Sequence, residues 1–429
     1  MDIPAALAFV RFGLGRRGDE AIPSDPAGWL LSQLQEADPI RTTGHPSSAQ
    51  GLAALRDDRR ANLVFGEGAV RSILEVGVRT QLATALTTSA AFRERLVWFW
   101  TNHFTISVRH SPCRAVAAAF VEEAIRPYVT RPFSDMLLAV WRHPAMLLYL
   151  SNAESVGPRS LVGRRTGRGL NENLARECLE LHTVGPASGY TQTDVTSLAA
   201  VLTGWTVSLQ DDPLGFRFNP SMHEPGSKLV MGNVLPPGQE GGTAAVRFLG
   251  CHPSTYRLLA TKLARHFIED DPKPSSVARI EGVLNDSRGN LGAAAACLVA
   301  DERAWIAGRK LRTPQDFVLA CYRALSVPPE QVGDMNSVLG YLGQPVWQAP
   351  TPNGWPDRAA EWAAPEAMMR RVDWAYGFAR RVGQQDPVGI AVAVLGKLLR
   401  PATYDVMSRA GSRRDALTLM LCSPEFHWR

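Results

Sequence analysis

The chain has 429 residues, of which 45% are hydrophobic and 20% are charged, and this composition is typical of a globular protein rather than of a disordered one. The formal net charge of +5 is spread along the chain without a run of five like charges, so a dedicated nucleic-acid-binding role is not expected. The six cysteines form no CxxC pair. That spacing argues against a zinc finger or a disulfide scaffold and favours free thiols.

Apolar residues recur at three- and four-residue spacing along most of the chain, which predicts a succession of helices. The first begins at Asp25-Pro26, because an Asp cap there precedes a Pro at the first helical position. Further helices are predicted over about 46–61, 69–88, 90–104, 111–127, 132–150, 171–182, 191–203, 240–250, 253–268, 290–300, 313–325, 358–383, 386–398 and 412–423.

Residues 205–232 are the exception to this helical pattern. Short β-prone runs flank the turn-forming stretch Asp211-Asp-Pro-Leu-Gly215, which predicts a small β-hairpin or flap inserted between helices. We therefore expect a mainly-α fold, a large multi-helix globular domain spanning residues 1–429 with this small insertion around 205–232.

The N-terminus lacks the features of a secretion signal. An acidic residue stands where a signal peptide needs positive charge, and the short apolar run ends at Arg11. No apolar run elsewhere is long enough to span a bilayer. We expect a cytoplasmic protein without a membrane anchor, and export together with a partner protein remains open.

The predicted helix over 171–182 has one strongly polar face. At about 100° per residue, five polar side chains fall within an arc of about 140°, namely Glu172, Asn173, Arg176, Glu177 and Glu180. Glu177 and Glu180 are i,i+3 neighbours, so their carboxylates can share a cation, a proton or Arg176. From composition alone, a solvated and salt-bridged surface is the more common explanation of such a face.

The succession of motifs around this helix is similar to that of a known family. Asn171-Glu-Asn-x-Ala-Arg-Glu-x-x-Glu-Leu is followed by Thr183-Val-Gly185, Gly189-Tyr-Thr-Gln-x-Asp-Val195 and Leu202-Thr-Gly-Trp205. This order resembles the central signature of the bacterial family called domain of unknown function 1800. Matching pieces elsewhere are Trp100-Thr-Asn-His-Phe104, Pro144-Ala-Met-Leu147, Lys262-Leu-Ala-Arg-His-Phe267, Asn353-Gly-Trp-Pro356 and Ser423-Pro-Glu-Phe426.

The resemblance changes the interpretation of the polar face, although the family's name gives no reaction. A family motif with so many charged residues implies a lined pocket or a buried polar network more readily than a solvated surface. At position 182 many members carry an aromatic residue where this chain has His182, so a capping or core histidine is expected there.

The predicted site is a polar pocket built on the central helix. Asn173, Arg176, Glu177 and Glu180 would line it, with His103 and His223 approaching from neighbouring elements. The two glutamates would act as an acid–base pair or, together with the two histidines, as ligands of a divalent metal ion. No HExxH or DxDxDG spacing supports the metal.

Each histidine also has a structural interpretation. His103 lies among apolar residues at helical spacing, as a core histidine would, whereas His223 lies in the flap, where functional residues are common. His266 has Arg265 beside it, and an anion-binding role and a structural role fit it equally.

Two functions remain open from the sequence. One is hydrolase- or lyase-type chemistry on a polar, anionic or sugar-like small molecule, with Arg176 orienting the carboxylates or binding an anionic group. The other is a non-catalytic assembly role, because the resemblance implies a sulfatase-like partner protein. In that case the Arg176, Glu177 and Glu180 cluster would be a structural ionic network.

Overall fold

A computed structural model describes residues 1–39, 45–64, 67–382 and 385–429, and these are mainly helical. The α-helices in the N-terminal half are α1 (Ile3–Leu7), α2 (Pro26–Gln35), α3 (Ser48–Arg60), α4 (Ala69–Thr87), α5 (Ala91–His103), α6 (Ala117–Phe120), α7 (Phe133–Arg142), α8 (Pro144–Tyr149), α9 (Leu161–Thr166), α10 (Asn173–Glu177) and α11 (Gln192–Leu202). Those in the C-terminal half are α12 (Gln239–Gly250), α13 (Pro253–Phe267), α14 (Pro274–Asp286), α15 (Leu291–Val299), α16 (Pro314–Ala324), α17 (Met335–Tyr341), α18 (Pro365–Val382), α19 (Pro387–Leu395), α20 (Pro401–Ser408), α21 (Arg413–Leu421) and α22 (Pro424–His427).

Shorter helical turns of two other kinds connect these helices. The described ranges include the π-helical turns Ala8–Phe12, Val121–Ile125 and Cys178–His182. The 3-10 turns include Ser111–Ala115, Arg126–Tyr128, Asn152–Glu154, Pro186–Ser188, Glu302–Trp305, Pro329–Gln331, Ala359–Glu361 and Gly396–Leu398.

The predicted β insertion is confirmed and consists of two small antiparallel hairpins. Strand β1 (Trp205–Ser208) pairs with β2 (Gly215–Phe218), so that Trp205 lies opposite Phe218. Strand β3 (Lys228–Val230) pairs with β4 (Asn233–Leu235). The second hairpin extends a few residues beyond the predicted boundary, and the mainly-α fold class is confirmed.

Several predicted boundaries differ from the observed ones. The helix expected over 358–383 begins only at Pro365, because a 3-10 turn precedes it, and residue 383 lies outside the described residues. Helices α1, α9, α14, α17, α20 and α22 were not predicted. Three of them begin with a proline, at Pro274, Pro401 and Pro424. A proline ends the preceding element, but it is also well suited to the first turn of a helix.

The central polar helix is not a regular α-helix throughout. It is α-helical over Asn173–Glu177 and continues as a π-helical turn over Cys178–His182. The wider turn closes with i→i+5 hydrogen bonds, and such turns are frequent at functional sites. The arc calculated at 100° per residue therefore applies only to the first part of this helix.

Helices α5 and α13 form the framework around which the site is built. Their rings Phe92 and Phe267 pack edge to face, with centroids 5.8 Å apart. The buried Gln33 of α2 accepts a hydrogen bond from the Phe92 backbone N–H at 2.9 Å, which satisfies an otherwise free donor at the start of α5. The buried apolar side chains join in a cluster that includes Phe12, Trp100 and Phe426.

Within the described ranges, none of the helices is both long and apolar enough to cross a bilayer.

Candidate active site

A cavity of about 300 Å³ lies between α5, α13 and the segment 353–358. Five residues of α5 line it at three- and four-residue spacing, which places them on one face of the helix; they are Arg95, Trp98, Phe99, Asn102 and His103. Helix α13 contributes Lys262, Arg265 and His266 at the same spacing. The volume is at the lower end of the range for small-molecule sites.

The segment over 353–358 is held against α5 by Asn102. The Asn102 amide nitrogen donates to the Trp355 carbonyl at 2.9 Å, and its oxygen accepts from the Trp355 N–H at 2.7 Å. Gly354 has a φ of +78°, and a Cβ there would lie 2.5 Å from the Asn102 carbonyl oxygen. Only glycine allows the two backbones to approach so closely.

His266 and Asp357 form a hydrogen-bonded dyad in the cavity wall. His266 Nδ1 lies 3.1 Å from Asp357 Oδ2. Burial alone would raise the pKa of Asp357, but the attraction of His266, its hydrogen bond and the nearby Lys310 outweigh burial and lower the pKa to about 2. Because an ionised carboxylate only accepts hydrogen bonds, the proton of the neutral imidazole is assigned to Nδ1.

The second nitrogen of His266 is left without a partner. Burial lowers the pKa of His266 and Asp357 opposes that shift only in part, so the ring is neutral at pH 7. Its Nε2 is buried and has no hydrogen-bond partner in the part of the chain that the structure describes. A buried polar atom without a partner is costly, so this nitrogen retains an unused capacity to accept a proton or a hydrogen bond.

His103 and Lys262 form a second pair in the cavity wall. His103 Nε2 donates to the His182 carbonyl at 3.3 Å, which leaves Nδ1 to accept from Lys262 Nζ at 3.1 Å. Burial lowers the pKa of His103 well below its ordinary value, and the charge of Lys262 lowers it further. Burial, followed by the charge of Arg265, lowers the pKa of Lys262 to about 8.

A buried ion pair supports Arg95 beneath the cavity. Arg95 Nη1 lies 3.0 Å from Asp316 Oδ1, and Arg429 Nε lies 3.2 Å from Asp316 Oδ2. Burial would raise the pKa of Asp316, but the two arginines outweigh it and hold that pKa far below its usual range. The carboxylate therefore stays ionised and fixes both guanidinium groups.

The polar residues of α10 do not line this cavity. Arg176 Nη2 donates to Glu172 Oε2 at 3.1 Å and to Gln192 Oε1 at 3.0 Å, so it pairs with Glu172 and not with Glu177. The side chain of Asn173 is exposed. This part of the predicted face is largely solvated.

Glu177 and Glu180 are half-buried. Burial raises the pKa of Glu177, and the neighbouring charge of Glu180 adds to the shift. The Tyr190 hydroxyl donates to Glu180 Oε2 at 3.4 Å. The two carboxylates are thus neighbours as predicted, but neither of them lines the cavity.

His223 has a partner on each ring nitrogen. Its Nδ1 lies 2.8 Å from the Thr203 carbonyl oxygen, and its Nε2 accepts from the Gly238 N–H at 2.8 Å. Burial lowers the pKa of His223, which keeps it neutral. This histidine joins α11, the flap and the start of α12, and it does not line the cavity.

The four predicted metal ligands are therefore not assembled at one place. Of His103, Glu177, Glu180 and His223, only His103 lines the cavity. Over residues 1–39, 45–64, 67–382 and 385–429, no group of three or more His, Cys, Asp or Glu side chains is arranged to hold a metal ion.

The last residues of the central helix, Leu181 and His182, nevertheless contact cavity residues through their backbone carbonyls. The carbonyls of Leu181 and His182, in the π-helical turn, accept from Lys262 at 3.4 Å and from His103 at 3.3 Å. The His182 ring is buried against Phe104, with centroids 5.1 Å apart. His182 is thus a core residue, and its backbone orients the His103–Lys262 pair.

Comparison with known proteins decides the family of this chain. The profile of the family described as "Protein of unknown function (DUF1800)" matches residues 7–428. The chain belongs to the DUF1800 family. No curated protein and no solved structure matches it.

Three segments that resemble other DUF1800 proteins meet at the cavity. They are 100–104, 262–267 and 353–356, and each contributes lining residues. The sequence interpretation placed the site on the central helix and missed Lys262 and Asp357. A usable signal was present, since each of these segments carries polar side chains between apolar ones, and Asp357 directly follows Pro356.

Proposed function

We propose that this DUF1800 protein is an enzyme that carries out acid–base chemistry on a small polar molecule in the cavity. His266 would accept the proton, and Asp357 would orient it. The observation that carries the proposal is the unpartnered Nε2 of a neutral imidazole whose Nδ1 is held by a carboxylate. The same combination of an orienting acid and a free basic nitrogen serves as the general base in many enzymes.

Lys262 supplies a group that can return the proton. Its pKa of about 8 is close to neutral pH, where a general acid works best because it is protonated and still donates readily. Base and acid in one cavity suit hydrolysis, in which a water is deprotonated and a leaving group protonated. They equally suit elimination, in which a proton is taken from carbon.

The cavity walls also support a polar, sugar-like substrate. Trp98 and Trp355 line the cavity, and indole rings provide flat apolar surfaces against which a sugar ring can pack. Asn353 and Gln344 add amide groups to the lining, and such groups can bind hydroxyls.

A panel of chromogenic substrates tests this function. Nitrophenyl esters, phosphates and glycosides report hydrolysis, and polyuronates report elimination through the new double bond. We expect wild-type turnover of at least one class and a loss of about 100-fold or more in His266→Gln. The matched control is His110→Gln, because His110 is exposed and does not line the cavity.

The pH profile gives a second readout. Because only neutral His266 accepts a proton and burial lowers its pKa, kcat/KM should fall on the acid side only below pH 6.5. Equal rates in His266→Gln and wild type, or inactivity of the wild type towards every class, would contradict the proposal.

A sulfatase-like partner protein and a cytoplasmic location are two further expectations of the sequence analysis. Both stay predictions. Co-purification with a candidate partner and fractionation of the native cells would test them.

A further inference from the structure

Two cationic side chains in the cavity wall have no carboxylate partner among the residues that the structure describes. Lys262 and Arg265 are i,i+3 neighbours on α13, so they lie on the same face of the helix, and both line the cavity. Lys262 Nζ contacts the neutral His103 ring and the Leu181 carbonyl. Arg265 donates from Nε to the Asp270 carbonyl at 3.2 Å. No carboxylate in the described part of the chain forms a salt bridge with either side chain.

Other cations of the same cavity are each neutralised. Arg95 pairs with Asp316 at 3.0 Å, and Arg358, at the rim, pairs with Asp271 at 2.9 Å. The absence of such a partner is therefore a local property of the side of α13 that lines the cavity. It concentrates positive charge on one wall of a cavity in which charges interact more strongly than they do in bulk water.

The arrangement disfavours the charged form of Lys262. The pKa of Lys262 falls to about 8, first because of burial and then because of Arg265. A cation kept in a partly dry site without a counter-ion is unfavourable, and a bound anion removes that cost. Arg265 has two terminal nitrogens that can donate in a fork to the two oxygens of one oxyanion.

We propose that Lys262 and Arg265 form an oxyanion-binding subsite that holds a carboxylate or phosphate group of the substrate. This inference rests on the proposed function, because it places the substrate in the same cavity. It narrows the substrate class from polar molecules to small anionic ones. His266, the next residue along α13, then faces the part of the molecule beyond the anionic group.

Isothermal titration of the full-length protein with two probes tests the subsite. Inorganic phosphate and malonate separate the two chemistries, and we expect the wild type to bind at least one of them. Lys262→Met and Arg265→Met should each weaken that binding by about tenfold or more, because one charge-assisted contact is lost. The matched control is Arg257→Met on the same helix, since Arg257 is 73% exposed and pairs with Glu281.

The pH dependence distinguishes this subsite from a general surface charge. The charge of malonate is constant between pH 7 and 9, so its affinity should fall over this range as Lys262 loses its proton. In Lys262→Met that pH dependence should disappear. Circular dichroism of each variant at the titration temperature establishes that it is folded, and Arg265→Met tests the subsite even if Lys262→Met is unstable.

Failure of this inference can be told apart from failure of the proposed enzyme. His266→Gln should lose turnover and keep anion binding within about threefold of wild type. If neither probe binds the wild type, or if Arg257→Met weakens binding as much as Lys262→Met does, the subsite is refuted. A turnover that still depends on His266 would leave the enzyme proposal standing.

Discussion

Replacement of Asp357 by Asn measures how much one half-buried carboxylate contributes to the fold around the cavity. Its Oδ2 holds His266 Nδ1 at 3.1 Å, and its Oδ1 lies 3.7 Å from Nζ of Lys310, whose side chain is 1% exposed. Asparagine keeps the shape of the side chain and removes its charge. The change therefore isolates the electrostatic contribution.

The size of the effect follows from the pKa of the carboxyl group. The pKa of Asp357 is about 2, whereas the ordinary value is 3.8. Because one pKa unit is worth about 1.36 kcal/mol, the folded protein favours the ionised form by about 2 kcal/mol. Loss of a buried partner can cost about 3–5 kcal/mol when the other charge is left alone. Lys310 also pairs with Asp270, so we expect the smaller value.

Urea denaturation at pH 7, followed by circular dichroism, gives the free energy of unfolding. Asp271→Asn is the control, because Asp271 is 79% exposed and its pair with Arg358 should contribute less than about 0.5 kcal/mol. Asp357→Asn should be less stable than this control by about 2 kcal/mol. Two variants of equal stability would refute the assignment of Asp357 as an anion that stabilises the fold.

Three further predictions concern the core, the loop and the central helix. Burial lowers the pKa of His182 to about 3, so its contribution to stability is complete above pH 6.5 and is lost as the pH falls towards 3. Urea titrations at pH 7 and pH 5 should show a loss of unfolding free energy that is about 2 kcal/mol smaller in His182→Gln than in wild type, because the other buried histidines contribute equally to both proteins. An equal loss in the two proteins would be evidence against this role of His182. Gly354→Ala should destabilise by about 2 kcal/mol or more, because of its φ of +78° and the contact with Asn102. Gly377→Ala, with open space around it, should instead raise the free energy of unfolding by up to about 1 kcal/mol. Equal shifts of the melting temperature in the two glycine variants would contradict this reasoning. Glu177→Gln should keep turnover within about twofold of wild type in the substrate panel, because Glu177 does not line the cavity. A large loss of turnover would instead indicate that the active site lies on the central helix.

Much of the fold is encoded locally and could be predicted from the sequence. Helix α2 begins where the Asp25 side chain accepts from the Gly28 N–H and Pro26 occupies the first turn, and both signals are visible in the residue order. The hairpin of β1 and β2 follows from β-prone runs around a turn sequence. The π-helical turn over Cys178–His182 has no comparable signal, because it depends on how the helix packs against its neighbours.

The candidate site could be predicted only in part. The sequence indicated that His103 and the charged central helix matter, and that His266, with Arg265 beside it, fits an anion-binding role and a structural role equally well. It could not show which polar residues meet. His103 and Lys262 are separated by 159 positions, and His266 and Asp357 by 91.

The sequence by itself determined the helical class, the β insertion and the family, because these depend on periodicity, turn residues and motif order. Only the tertiary structure decided that the face of Glu177 and Glu180 lies outside the cavity. The physical reason is that a charged helical face has the same spacing whether it meets water or a pocket. The packing of the segment 353–358 against α5 and α13 is what brings Asp357 to His266 and makes the dyad with one free nitrogen.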